Sequence, residues 1–150
     1  MRLVIQRVKK AGVEIEGKLL SSIQKGFLVL LGIENEDMEE DVLYLVNKLC
    51  NMRVFADNEG KMNLDIHQID GEILVVSQFT LHASTKKGTR PSFIKAARPE
   101  QAIPLYEKFI LEINKTMSKS CKTGQFGADM QVQLINDGPV TIILDSKNKE

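Results

Sequence analysis

The chain has 150 residues, 43% hydrophobic and 27% charged, with 20 Lys and Arg balanced by 20 Asp and Glu. That length suits one domain with a core of its own, and the balanced charge excludes a generally basic nucleic-acid binder while leaving room for a local basic patch. The opening MRLVIQRVKK has no small-residue cleavage site, and no apolar run approaches the ~20 residues of a membrane span, so a cytoplasmic protein without signal peptide or membrane helix is expected.

Leu3 to Val8 reads as the first strand. AGVEIEGKLLSSI alternates through Val13 and Ile15 and turns at Gly17 and Lys18, the pattern of a hairpin. GFLVLLGI is a continuous apolar run, which suits a strand buried on both faces. Met38, Val42, Leu45, Val46 and Leu49 then recur at helical spacing. Asn35 or Asp37 can cap that helix, and Glu36, Asp37, Glu39 and Glu40 suit the positive end of its dipole. RVFADNEGKMN predicts a short strand and a polar turn around Asn58 to Gly60. GEILVVSQFTL is the strongest strand pattern in the chain.

A loop follows, HASTKKGTRPSF, with Lys86, Lys87 and Arg90 gathered around Gly88 and Pro91. Ala102, Leu105, Tyr106, Phe109, Ile110, Ile113 and Met117 mark a second helix, and Pro99 and Pro104 confine its start, because proline fits the first turn of a helix. FGADMQVQLI and VTIILD close the fold as strands. Between them Asn136, Asp137 and Gly138 form a strong turn signal, so a strand-turn-strand is expected. Pro139 is awkward there, since it has no N–H to give a ladder. Residues 146–150 read as a polar, frayed tail. The order of elements predicts one α+β domain over 1–150, with two β-sheet layers and helices covering one side.

The usual catalytic kits are missing: there is no G-x-S-x-G elbow, no phosphate-binding P-loop and no H-E-x-x-H. Cys50 and Cys121 lack metal-ligand spacing and read as reduced, buried thiols. His67 falls in a loop, whereas His82 ends the best strand. At a period of two, Ser77, Phe79 and Leu81 share one face, with Phe79 and Leu81 as core, and Gln78, Thr80 and His82 share the other. Two readings of that polar end stay open. It is a half-exposed face satisfied by backbone and water, or a cleft where Thr80 or backbone amides meet a substrate. As a nucleophile Thr80 needs a base, and His82 is the one on its face. The basic loop is either solvated or a local phosphate grip for one RNA end. Met130, Val132 and Leu134 alternate as core-facing strand residues.

Three stretches together resemble the D-aminoacyl-tRNA deacylase family: SQFTL at Ser77–Leu81, KGTRPSF at Lys87–Phe93, and FGADMQVQLINDGPVTIILDS at Phe126–Ser146. MRLVIQRV and PEQAIPLYEKF also fit, and the likeness runs from Met1 to about Ser146. A sister family of tRNA deacylases, specialised for a mis-charged L-amino acid, carries different residues at SQFTL and at N-x-G-P-x-T. Ser77 and Phe79-Thr80 side with the D-specific branch.

The resemblance implies hydrolysis of the ester joining a D-amino acid to the 3′-terminal adenosine of tRNA. It implies a homodimer with active sites at the interface, a cis Gly138-Pro139 bond reaching into the partner's site, and neither metal nor cofactor. Gln78, Phe79 and Thr80 become the catalytic candidates, with the N–H groups of Phe79 and Thr80 on the developing oxyanion and Gln78 positioning. Ser77, Met130, Gly138 and Pro139 become substrate-binding candidates, and Lys86, Lys87 and Arg90 the RNA contacts. A backbone wall that rejects L side chains by clash cannot reject glycine. Glycyl-tRNA, including glycine mis-attached to tRNA for alanine, is therefore an expected substrate. The competing expectations are a general esterase using Thr80 with His82, and a non-catalytic module binding the tRNA 3′ end.

Overall fold

The two continuous apolar runs become neighbouring strands buried on both faces. The computed structural model describes residues 1–149. In chain order it holds β1 (Arg2–Ile15), β2 (Lys18–Ile23), β3 (Gly26–Gly32), α1 (Glu39–Asn51), β4 (Phe55–Ala56), β5 (Met62–Leu64), β6 (Glu72–Ser77), α2 (Pro99–Thr116), β7 (Lys122–Thr123) and β8 (Gln131–Asp145). β3 and β6 pair in parallel, with Phe27 opposite Ile73 and Leu31 opposite Ser77.

Alternation along these strands feeds two cores. Phe27, Val29, Leu31, Ile73 and Val75 pack with Val42, Leu45, Leu49, Phe109 and Ile113 of the helices. Leu28, Leu74 and Val76 point the other way, against Val8, Val13 and Ile23. The result is the expected α+β arrangement: helices on one side, then two sheet layers. A strand with apolar partners on both faces needs no alternation in sequence, which is why GFLVLLGI and EILVV are unbroken apolar runs.

The main sheet runs β2-β1-β3-β6-β7, with β8 along β1. β1 serves both layers. Arg2 to Val8 lie beside β3, and Ala11 to Ile15 lie beside β2. Leu3 and Ile5 enter the helix-side core, whereas Val8, Ala11 and Val13 enter the other. The pairing with β8 shifts between Gln6 and Lys10, and such shifts are how a strand changes the face it buries.

Four expectations need correction. The strand-turn-strand around Gly138 is a single strand, β8, paired with β1 on both sides of the turn signal. From Asn136 to Thr141 β8 advances five residues while β1 advances two, from Val8 to Gln6, so the extra residues form a bulge. The cap of α1 is Met38, whose N–H donates to Asp41 at 2.8 Å; Asp37 instead accepts from the Glu34 N–H at 2.7 Å. Pro99 opens α2 as expected, but Pro104 sits in its second turn, on an exposed face where water can serve the freed carbonyl. The tail is held, not frayed, as far as Lys149. The Ser146 N–H donates to the Met1 carbonyl at 2.9 Å, Lys147 Nζ lies 2.9 Å from Asp41, and Lys149 Nζ sits 4.3 Å from the Tyr44 ring centre. Residue 150 lies outside the described residues. Among the described residues no helix is long and apolar enough to cross a membrane.

Candidate active site

β6 stops at Ser77, and the chain folds over the end of β3 as a 3-10 turn from Phe79 to His82. Gly32 makes this possible. A Cβ there would meet Leu81 Cβ at 2.9 Å, the Gln78 carbonyl at 3.1 Å and His82 Cδ2 at 3.1 Å. The turn is pinned by the Gln78 N–H donating to the Leu31 carbonyl at 2.8 Å and by Arg2 Nη1 donating to the Leu81 carbonyl at 2.7 Å. Inside it, the Leu81 N–H donates to the Gln78 carbonyl at 3.2 Å and the Ala83 N–H to the Thr80 carbonyl at 3.0 Å. The N–H groups of Phe79 and Thr80 donate no hydrogen bond among the described residues. They are the orphan donors of a helical first turn.

The turn overturns the period-two expectation. Phe79 is 55% exposed rather than core. His82 is buried at 5% rather than at the rim, with Nδ1 3.9 Å from Glu34 Oε2 and Nε2 lacking a partner among the described residues. The Thr80 hydroxyl accepts from Gln78 Nε2 at 2.5 Å, and no hydrogen bond joins it to His82. The expected Thr80–His82 pair is therefore not assembled, and the general-esterase reading loses its base. Burial pushes the Cys50 thiol up and the Cys121 thiol up to about 12, so neither supplies a thiolate at neutral pH.

Ser77, Gln78 and Phe79 line a cleft of about 310 Å³. Leu31, Ile33 and Val76 give it an apolar lining, and Phe126, Asp129 and Met130 come from the segment before β8. Asp129 is the one ionisable side chain among the lining residues. Tyr106 braces the cleft from behind: its ring meets Phe126 edge-on at 5.7 Å, and its hydroxyl donates to the Val75 carbonyl at 3.2 Å. Burial pushes that phenol up to about 12, which keeps it a donor. Gly124 leaves room for Met130, whose Sδ would lie 2.5 Å from a Cβ at that position. Among the described residues no group of three His, Cys, Asp or Glu side chains comes together as a metal site.

The remaining expected residues lie apart from this cleft within the chain. Gly138 and Pro139 are exposed on the β8 bulge, and the bond between them is cis. Two residues hold the bulge to β1: Arg7, which sequence reasoning missed, and Asn136, which it read only as part of the turn signal and motif. Arg7 Nε donates to the Asp137 carbonyl at 2.9 Å and lies 3.4 Å from Asp137 Oδ2, while Nη1 donates to the Val54 carbonyl. The Asn136 side-chain amide donates to the Arg7 carbonyl at 3.1 Å and to the Val140 carbonyl at 2.9 Å. Gly138 has φ +134°, and a Cβ there would meet Arg7 Nη2 at 2.8 Å. A charged side chain in the apolar stretch RLVIQRV is the one signal that could have pointed to Arg7. Lys86, Lys87 and Arg90 are exposed at the tip of a loop closed by reciprocal Ser84 and Ser92 backbone hydrogen bonds of 2.8 and 2.9 Å.

A buried strand ending in a turn with two free amides, beside a small cleft, makes a candidate site built from backbone rather than from a catalytic triad. Comparison with known proteins gives that site its family. The family model for D-Tyr-tRNA(Tyr) deacylase matches residues 4–145. The D-aminoacyl-tRNA deacylase of Cytophaga hutchinsonii is 63% identical over 150 residues and that of Flavobacterium johnsoniae 57%, each match covering the whole of both chains. A solved structure titled c-Myc DNA Unwinding Element Binding Protein superposes with a TM-score of 0.92 at 44% identity, covering 97% of this chain and 98% of that one. A probable eukaryotic D-amino acid tRNA deacylase shares the fold, with a TM-score of 0.78 at 16% identity over 95% of this chain and 97% of that one. The chain belongs to the D-aminoacyl-tRNA deacylase family, hydrolases of the aminoacyl-tRNA ester bond.

Proposed function

We propose that this chain removes D-amino acids from the 3′-terminal adenosine of tRNA, with residues 1–150 acting as one deacylase domain in the cytoplasm. The observation that carries the reading is the pair of N–H groups at Phe79 and Thr80 that donate no hydrogen bond among the described residues, on exposed residues of the turn beside the cleft that Phe79 lines, in a chain of this family. An aminoacyl ester is already activated, and the ribose 2′-OH next to it can orient water. The protein then has to hold the ester and stabilise the negative charge that develops on its carbonyl oxygen. Phe79 and Thr80 supply the amides, Gln78 positions the ester, and Ser77 and Met130 bound the substrate. Lys86, Lys87 and Arg90 grip the RNA behind it.

The reading needs two copies. The carbonyls around Gly138 and Pro139 of one chain stand in the cleft of the other and form the wall that an L side chain would strike. A backbone wall discriminates between mirror forms with identical groups, which attraction to any one group does poorly. Glycine has no side chain to strike it, so glycyl-tRNA, including glycine on tRNA for alanine, is a substrate as well. The test is ester loss from D-Tyr-tRNA and L-Tyr-tRNA with purified protein. Loss from the D-ester alone is the expected result; equal loss from both, or loss from neither, rules the reading out.

A further inference from the structure

The charge balance of the chain conceals one uneven stretch. Between Glu72 and Glu100 there is no Asp or Glu, but five cations: Lys86, Lys87, Arg90, Lys95 and Arg98. Among the described residues none of the five makes an ion pair, whereas Arg2, Arg7, Lys108 and Lys147 all do.

Next to these cations the surface turns apolar. Phe79 is 55% exposed, Phe93 37% and Ile94 85%. The rings of Phe79 and Phe93 meet edge-to-face, with centroids 5.1 Å apart at 74°, so each fixes the other and leaves ring surface free. The backbone beneath is also fixed. Asn35 Nδ2 donates to the Ile94 carbonyl at 3.0 Å, the Asn35 N–H to the Lys95 carbonyl at 3.0 Å, and the Ala97 N–H to the Ile33 carbonyl at 2.9 Å. Rigid, exposed aromatic surface left uncovered by the described residues is a mark of a binding surface.

Position decides what covers it. Phe79 lines the cleft and Phe93 does not, so the ring pair sits at the edge of the cleft, beside the place that the deacylase reading gives to the terminal adenosine. A chain end held in the cleft has this pair beside it. A nucleotide strand presents a flat base and a phosphate at each step, which matches an aromatic surface flanked by unpaired cations. A protein partner would find a small apolar patch on a stretch of chain with five uncompensated cations, which suits a polyanion better.

We propose that Phe79, Phe93 and Ile94 form a stacking platform for the nucleotide that precedes the terminal adenosine, with Lys95, Arg98 and the loop cations on its phosphates. This rests on the deacylase reading above. The test compares kcat/KM for D-Tyr-tRNA with that for D-tyrosyl-adenosine, an ester that ends before the platform. Base–aromatic stacking is worth enough that Phe93→Ala should lower the tRNA-to-adenosine ratio by about tenfold. Phe93→Leu, which keeps apolar bulk, should lower it similarly, and Phe93→Trp should restore it. If wild-type protein cleaves both esters and the Phe93 variants leave the ratio unchanged, the platform is wrong and the deacylase reading stands. If wild-type protein cleaves neither, both fall.

Discussion

The two functions proposed for Phe79 can be separated, because one belongs to its backbone and the other to its ring. Proline at this position removes the N–H, and it suits the first residue of a helical turn whose predecessor, Gln78, lies outside the helical region at φ −144° and ψ 80°. Alanine removes the ring but keeps the N–H. If the amide stabilises the oxyanion, Phe79→Pro lowers kcat by about 10²-fold or more relative to Phe79→Ala, the usual effect of losing one such donor. Single-turnover rates on D-tyrosyl-adenosine measure this without interference from RNA contacts, and equal rates for the two variants would remove the amide from the mechanism. Thr80 gives the complementary case. Its hydroxyl is engaged by Gln78, and the nearest histidine is buried on Glu34, so nothing is placed to take its proton. Thr80→Ala should retain kcat to within about tenfold, since the loss is one positioning hydrogen bond. Complete loss of activity in a folded variant would reinstate Thr80 as the nucleophile.

Among elements, the start of α1 and the end of β8 are tied together by Asp41. Burial works upward on its carboxyl, but hydrogen bonds from Lys147, Ser146 and the Met38 N–H outweigh it and hold the group at about 2 rather than 3.8. A carboxylate depressed in the folded state stabilises fully above its unfolded value and loses that contribution as pH falls through the folded value. Chemical denaturation should therefore show stability falling between pH 3.8 and about 2, and Asp41→Asn should flatten that part of the profile. An identical acid limb in the variant would show that other carboxylates govern it. The elements also separate what was legible in sequence from what was not. β3, β6 and both helices were readable because their apolar spacing reflects a core that covers whole strands and faces. The turn at Phe79 was not, because its cause is Gly32 on another strand, and nothing within VVSQFTLH breaks the period of two. The bulge in β8 was misread for the opposite reason. Its local turn signal is real, but pairing with β1 on both sides outweighs it and turns a hairpin into a projection from one strand. The candidate site residues come from motif likeness, while the part that Arg7 and Asn136 play in holding the projection shows in the contacts they make.

At the scale of the whole molecule, the cleft and the bulge pose one question: does a single chain hold a complete site? The bulge residues Gly138 and Pro139 are absent from the lining of the cleft in their own chain. If the site is completed by a second copy, two different inactive variants can rescue each other. Phe79→Pro damages the cleft and leaves the bulge. Gly138→Ala damages the bulge, because a φ of +134° is a backbone conformation that L side chains rarely adopt, and it leaves the cleft. Co-expression of the two gives mixed dimers. Isologous pairing puts the Gly138→Ala chain's intact cleft opposite the intact bulge of the Phe79→Pro chain, making one working site, while the other site carries both defects. Random pairing makes half of the dimers mixed, so activity should recover to about a quarter of wild type per chain. A cleft that works within one chain predicts no recovery beyond the summed activities of the two variants. The same result would leave the exposed bulge without a place in the mechanism, and the account of D-over-L selection would have to be built on the cleft walls alone.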